Sequence, residues 1–191
     1  MSTLDSSNFV EPTNVSARSI GIRYGAIASL LLIAIGLLFH VTGMTSYTNQ
    51  LNPGNIISSV LTYAVMIGAY VMGMKQYRSE AGGYLTFGQG FSVGFWSSLI
   101  MAVITGVWTY LFFTMIEPGL IDTIMEATRD RMIEQGQSEE AADQAMQYSE
   151  MFMKPGMMTI FAAIGTLITG LIISLIVAAI MQKKPPVDAV A

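Results

Sequence analysis

Four long apolar stretches alternate with short polar ones along this chain, and one further segment follows an amphipathic rhythm. The first stretch runs from about residue 22 to 43 and contains the unbroken run Leu30-Leu31-Leu32-Ile33-Ala34-Ile35-Gly36-Leu37-Leu38-Phe39. The second covers about 56–74, after Asn52-Pro53-Gly54-Asn55, which reads as a turn. The third covers about 91–116 and stops at Glu117-Pro118, and the fourth covers 157–181 after Lys154-Pro155-Gly156. None has Asp, Glu, Lys or Arg in its central part. A helix needs ~20 apolar residues to cross a ~30 Å hydrocarbon layer, where every backbone group must pair within its own segment. The pattern therefore predicts four transmembrane helices. Helices of a soluble bundle would carry a charged outer face that these stretches lack.

Between the third and fourth stretches the period changes. Residues 118–135 place Ile121, Ile124, Met125, Thr128 and Met132 on one side of a helix, and Asp122, Glu126, Arg129 and Glu134 elsewhere around it. Pro118 suits a first helical turn, Gly136 a left-handed stop, and Ser138 the N-cap of a second helix. Glu139 and Glu140 would then favour that helix's dipole, while Ala141, Ala142, Ala145, Met146, Ser149 and Phe152 form its small or apolar face. The expected fold is all-α: four transmembrane helices, with an extracytoplasmic helical hairpin over 118–154.

Charge gives this arrangement a direction. Only 12% of the 191 residues are charged and 52% are hydrophobic, whereas a soluble domain carries roughly 25% charged residues. Residues 117–154 hold nine acids against three bases, a net charge of −6 within a chain whose total is −4. The remaining bases, Arg18, Arg23, Lys75, Arg78, Lys183 and Lys184, flank the spans on one side. Basic residues in short loops mark the cytoplasmic face, so both termini are expected there. Tyr24, Tyr77, Tyr84 and Trp96 would lie near the inner interface, and Trp108, Tyr110, Phe112 and Phe113 near the outer one. Residues 1–19 lack the apolar core of a signal peptide and read as a disordered cytosolic tail, with a second cytosolic tail at 185–191.

Candidate chemistry is sparse. Cysteine is absent, which excludes disulfides and thiolate chemistry. Gly90-Phe91-Ser92-Val93-Gly94 spells a hydrolase pattern, but that pattern works only on a strand-to-helix elbow beside a histidine base. The single histidine, His40, belongs at the opposite end of the membrane and is expected to reach water there. Gly88-Gln89-Gly90 lacks the preceding strand and following Lys-Ser or Lys-Thr of a phosphate loop. No catalytic, cofactor-binding or metal residue is therefore expected. Eight of the 15 methionines lie in or beside the hairpin, including Met151, Met153, Met157 and Met158. Thioethers select Cu(I), which makes copper handling a remote alternative, but methionine also fills irregular apolar contacts. Ala162, Thr166, Gly170, Ser174 and Ala178 form a small-residue stripe that lets two membrane helices approach closely.

The loop after the second span reads Lys75-Gln76-Tyr77-Arg78, then Gly82-Gly83-Tyr84-Leu85-Thr86-Phe87-Gly88-Gln89-Gly90-Phe91. With Ile116-Glu117-Pro118, the Ser138-Glu139-Glu140 turn and the closing basic pair, this order resembles the bacterial membrane family called domain of unknown function 4199. The resemblance covers about residues 18–184, and its most specific residues are Gly82, Gly83, Tyr84, Thr86, Phe87 and Gly88. It implies four spans in a bacterial inner membrane and no known activity. The leading expectation is a non-enzymatic scaffold or accessory subunit, in contact with lipid and with a protein partner or itself, and not with nucleic acid. The alternative is a small oligomeric transporter or channel, for which Ser58, Ser59, Thr62, Ser97, Ser98, Thr105 and Thr109 are the available polar groups.

Overall fold

The computed structural model describes residues 15–47, 49 and 51–183. The tail expected over 185–191 and most of that over 1–19 lie outside the described residues, while Ala17, Arg18 and Ser19 already belong to the first helix. The elements are α1 (Ala17–Val41), α2 (Pro53–Glu80), α3 (Phe87–Leu111), a π-helical turn (Phe112–Ile116), α4 (Leu120–Glu134), α5 (Glu139–Met153) and α6 (Pro155–Met181). Four helical segments, α1, α2, α3 with its π turn, and α6, are long and apolar enough to cross a membrane. The chain is a multi-pass, all-helical membrane protein.

Helices α1, α2, α3 and α5 start where a side chain supplies a partner for their first free N–H groups. Ser16 Oγ accepts from the Ser19 N–H, and Thr86 and Gln89 bond reciprocally in a capping box that opens α3. Asn52 caps α2, with Pro53 in its first turn. The segment 52–55 is thus the first turn of α2 rather than a turn ahead of it. At its far end α2 runs beyond the apolar stretch to Glu80, because no helix breaker intervenes before Gly82 and Gly83. Those two glycines take φ of 73° and 91°, the left-handed region open to glycine. Leu85 then exchanges two backbone hydrogen bonds with Lys183, of 2.9 and 2.7 Å, which ties the α2–α3 loop to the end of α6.

The bundle has a tight half and an open half. The start of α1, the α2–α3 loop and the end of α6 share one end, here the termini end, and the α4–α5 hairpin stands at the other. In the half near the termini end, α3 is clasped by both neighbours. A Cβ at Gly21 would lie 2.6 Å from the Val93 carbonyl, and one at Gly25 2.6 Å from the Ser97 carbonyl. A Cβ at Gly94 would overlap Ser174 Oγ on α6, and one at Gly170 would meet Tyr70 Oη at 2.6 Å and Ser98 Oγ at 2.7 Å. Helix α2 adds a buried face of Met66, Tyr70, Gly73, Met74 and Tyr77, spaced as one side of a helix. Tyr77, expected at the membrane interface, belongs to this core and is 7% exposed. Towards the hairpin end the packing thins: residues 30–38 of α1, 55–65 of α2 and 155–169 of α6 include no buried position, although Gly106 of α3 is buried and still faces Ala163 of α6. A cleft of about 360 Å³ opens there among all four spans.

Substitution of glycine at the clasp should therefore be costly, and elsewhere not. Gly94→Ala drives a methyl into Ser174 and is expected to destabilise the bundle by ~1–3 kcal/mol. Gly36→Ala meets no atom within 4 Å and should leave the thermal aggregation midpoint in detergent unchanged. Equal midpoints for the two variants would contradict the clasp.

Candidate functional site

The two helices of the hairpin close on each other. Gly136 takes a φ of 89° and ends α4, and Ser138 Oγ accepts from the Ala141 N–H at 3.3 Å to open α5. The two helices pack against each other, and Ala142 is their one buried position among the described residues. Its side chain is small enough for α4 to approach. Across the pair, Arg129 Nε donates to Asp143 Oδ1 at 2.6 Å, and this bond holds the guanidinium above its ordinary range. An ion pair this exposed adds little stability, so its effect is to set the register of the two helices. Asp122, Glu126, Asp130, Glu134, Glu139, Glu140, Asp143 and Glu150 are all exposed. At the membrane side, Tyr148, Met151 and Phe152 are exposed as well, and the Phe152 ring lies 6.3 Å from that of Phe161 on α6.

A polar cluster fastens the hairpin's root to the spans. At the end of α3 the ladder widens to a π turn, in which the Glu117 N–H bonds to the Phe112 carbonyl at 2.8 Å. The extra residue swings Glu117 towards α1, where His40 Nε2 lies 3.1 Å from Glu117 Oε1. His40 Nδ1 lies 2.9 Å from Tyr47 Oη. Burial first, and the Glu117 charge second, push the Tyr47 phenol above its ordinary value. A carboxylate only accepts, so in the contact with Glu117 the donor is His40 Nε2–H. Phe112 packs edge-on against the imidazole at 5.1 Å and lies tilted against Trp108 at 6.0 Å. His40 is therefore engaged by two side chains, where the sequence suggested contact with water alone. π turns are rare and often mark functional positions.

The other sequence candidates fall into separate places. Gly170, Ser174 and Ala178 of the stripe are buried, Thr166 lines the cleft, and Ala162 is half-buried. Ser97 and Ser98 are interior: Ser97 Oγ donates to the Gly21 or Val93 carbonyl at 3.0 Å, and Ser98 Oγ lies 2.8 Å from Tyr70 Oη. Ser58, Ser59, Thr62 and Thr105 face the cleft instead. In the loop, Gly82 and Gly83 make the left-handed bend, Tyr84 and Gly88 are exposed, Thr86 caps α3, and Phe87 stacks on Phe91 at 6.3 Å. Gly90 and Gly94, the glycines of the hydrolase-like pattern, face Ala178 and Ser174 on α6. The fully buried Leu85 was missed, although it sits inside the most specific run of the loop.

A family model described as "Protein of unknown function (DUF4199)" matches residues 23–183. The chain belongs to this family. In this DUF4199 protein the match starts inside α1 and ends beside the Leu85–Lys183 pairing, so it takes in the hairpin and most of every span. No curated protein matches the chain, and no solved structure does.

The root of the hairpin generates a direct test. His40→Ala, Glu117→Gln and the double variant form a cycle whose coupling should be about 1 kcal/mol, the scale of a partly exposed charge-assisted hydrogen bond. Thermal unfolding in detergent supplies the readout. Additive effects would mean the contact holds nothing in place.

Proposed function

We propose that this DUF4199 protein is a non-enzymatic accessory or scaffold subunit of a bacterial inner membrane, with the acidic hairpin as the surface that meets its partner. One observation carries the reading: eight carboxylates remain exposed on a hairpin that closes on itself and is anchored at its root. A structural loop between two spans needs neither the length nor the charge. Such a surface favours a basic partner, because complementary charge steers encounter and discriminates between partners. Arg18, Arg23, Lys75, Arg78 and Lys183 gather at the termini end, which supports a cytoplasmic position for both termini and an outer position for the hairpin. The sole histidine is occupied by Tyr47 and Glu117, which leaves Ser92 without a histidine base. The transporter reading rests on the cleft, and the sealed core beneath it favours binding there over passage.

One experiment tests side and partner together. The chain has no native cysteine, so Gln137→Cys and Gln182→Cys can be labelled singly. A membrane-impermeant maleimide carrying a photoactivatable diazirine is added to cells whose outer barrier has been permeabilised. It should modify position 137 and spare 182, and photolysis should give one discrete protein adduct. That adduct should vanish when Glu126, Glu134, Glu139 and Glu140 are changed to Gln. Labelling of 182 alone would reverse the orientation, and an adduct indifferent to the four changes would remove the acidic surface as the docking face.

A further inference from the structure

The cleft at the hairpin end is mixed in chemistry and uncharged. Ser58, Ser59, Thr62, Thr105, Thr166 and Thr169 line it with hydroxyls, Tyr63 and Trp108 add polar aromatic edges, and Leu32, Ile33 and Met66 supply apolar wall. No Asp, Glu, Lys, Arg or His is among its lining. Its volume, about 360 Å³, falls within the ~300–1,000 Å³ of small-ligand sites. Depth matters here. Thr166 and Thr169 stand eleven and fourteen residues into α6 from Pro155, roughly 16–21 Å along the axis at ~1.5 Å per residue, which reaches the middle of a bilayer. Hydrocarbon offers no partner to a polar group at that depth, and a polar group left without one is costly.

The hydroxyls are not all occupied by the protein. Ser59 and Thr62 donate to the Asn55 and Ser58 carbonyls, which leaves their oxygens as acceptors. Among the described residues, the hydroxyls of Thr105, Thr166 and Thr169 and the Trp108 N–H have no protein partner. The cleft therefore presents donors and acceptors side by side, which suits a group bearing hydroxyls of its own. Absence of a counter-charge argues against a phosphate or an ion, since an unpaired charge at this depth is far more costly than a hydroxyl. Met66, at 3% exposure, closes the floor, and one turn further along α2 the hydrogen-bonded Tyr70 and Ser98 are fully buried. Tyr63 on α2 and Gly165 on α6 are both exposed at the rim, so the cleft opens sideways between these two helices.

From this geometry we propose that the cleft binds the uncharged, hydroxyl-bearing head of an amphiphile, chemically a glycerol head, with its chains left in the lipid through the α2–α6 opening. The same head chemistry is offered by a neutral acylglycerol or by a free polyol, and the test separates them. Full-length protein in phosphatidylcholine vesicles is photolysed with a diazirine-bearing diacylglycerol. Labelling should be saturable, should map to peptides of α2 and α6, and should be competed by dioctanoylglycerol but not by dioctanoyl phosphatidic acid. Competition by free glycerol as well would assign the site to the head chemistry alone. A Cβ at Gly165 meets no atom within 4 Å, so Gly165→Leu fills the cleft without a backbone clash and should abolish the saturable component. Thr166→Val with Thr169→Val removes two hydroxyls at nearly constant volume and should weaken labelling by about tenfold. Gly36→Leu, equally open but outside the cleft, should label as the unmodified protein does. Labelling that does not saturate, that phosphatidic acid competes equally, or that survives both cleft variants would overturn the proposal.

Discussion

Helices inside a bilayer gain nothing by hiding apolar side chains from lipid that is equally apolar, so association depends on how closely backbones can approach. In this protein that approach is made by α3, with Gly21 and Gly25 of α1 on one side and Ser174 of α6 against Gly94 on the other. Small residues bring α3 near enough for its serines to bond across helices or into the shared core. Ser97 reaches the Gly21 carbonyl, and Ser98 reaches Tyr70 of α2. The clasp occupies the half of the bundle nearest the termini. The remaining architecture follows from its being confined there.

Beyond the clasp α3 and α6 stay together, with Gly106 facing Ala163 and Thr159, and it is α2 that parts from them. The half of α2 towards the hairpin contributes no buried position between residues 55 and 65, and the space among the four spans becomes a cleft with a sealed floor. Such a bundle needs another device to fix its open end. The π turn and the Glu117–His40–Tyr47 bonds supply it, by joining α1 to α3 at the point where the hairpin begins. Hairpin and cleft are thus neighbours connected through Phe112 and Trp108, the latter forming part of the cleft wall.

Run length and end signals are local properties, and they made the spans and the hairpin legible in the sequence. Gly136 and Ser138 stand where a stop and a cap are needed, and both act so. Contacts between distant positions were not legible. Nothing within residues 35–47 indicates that His40 meets a carboxylate 77 positions away, because polar pairs at helix ends leave no periodic trace. The small-residue stripe of α6 shows the same limit. Its spacing is uniform, yet Gly170, Ser174 and Ala178 are buried while Thr166 faces the cleft. Only the divergence of α2 from its neighbours separates these environments. Tyr77 was read as interfacial for a related reason: an aromatic one turn beyond a span looks the same whether it points to lipid or inward.

A bundle that is tight at one end and open at the other makes a specific statement about α2, whose two halves should differ in access to water. Single cysteines at Ser58, Ser59, Thr62, Met66, Tyr70 and Met74, in a chain free of native cysteine, report this through their rate of alkylation by a small polar maleimide in liposomes. The account predicts fast reaction at 58, 59 and 62 and a sharp fall from 66 onwards. A profile that is flat along the helix, or fastest at 70 and 74, would contradict it.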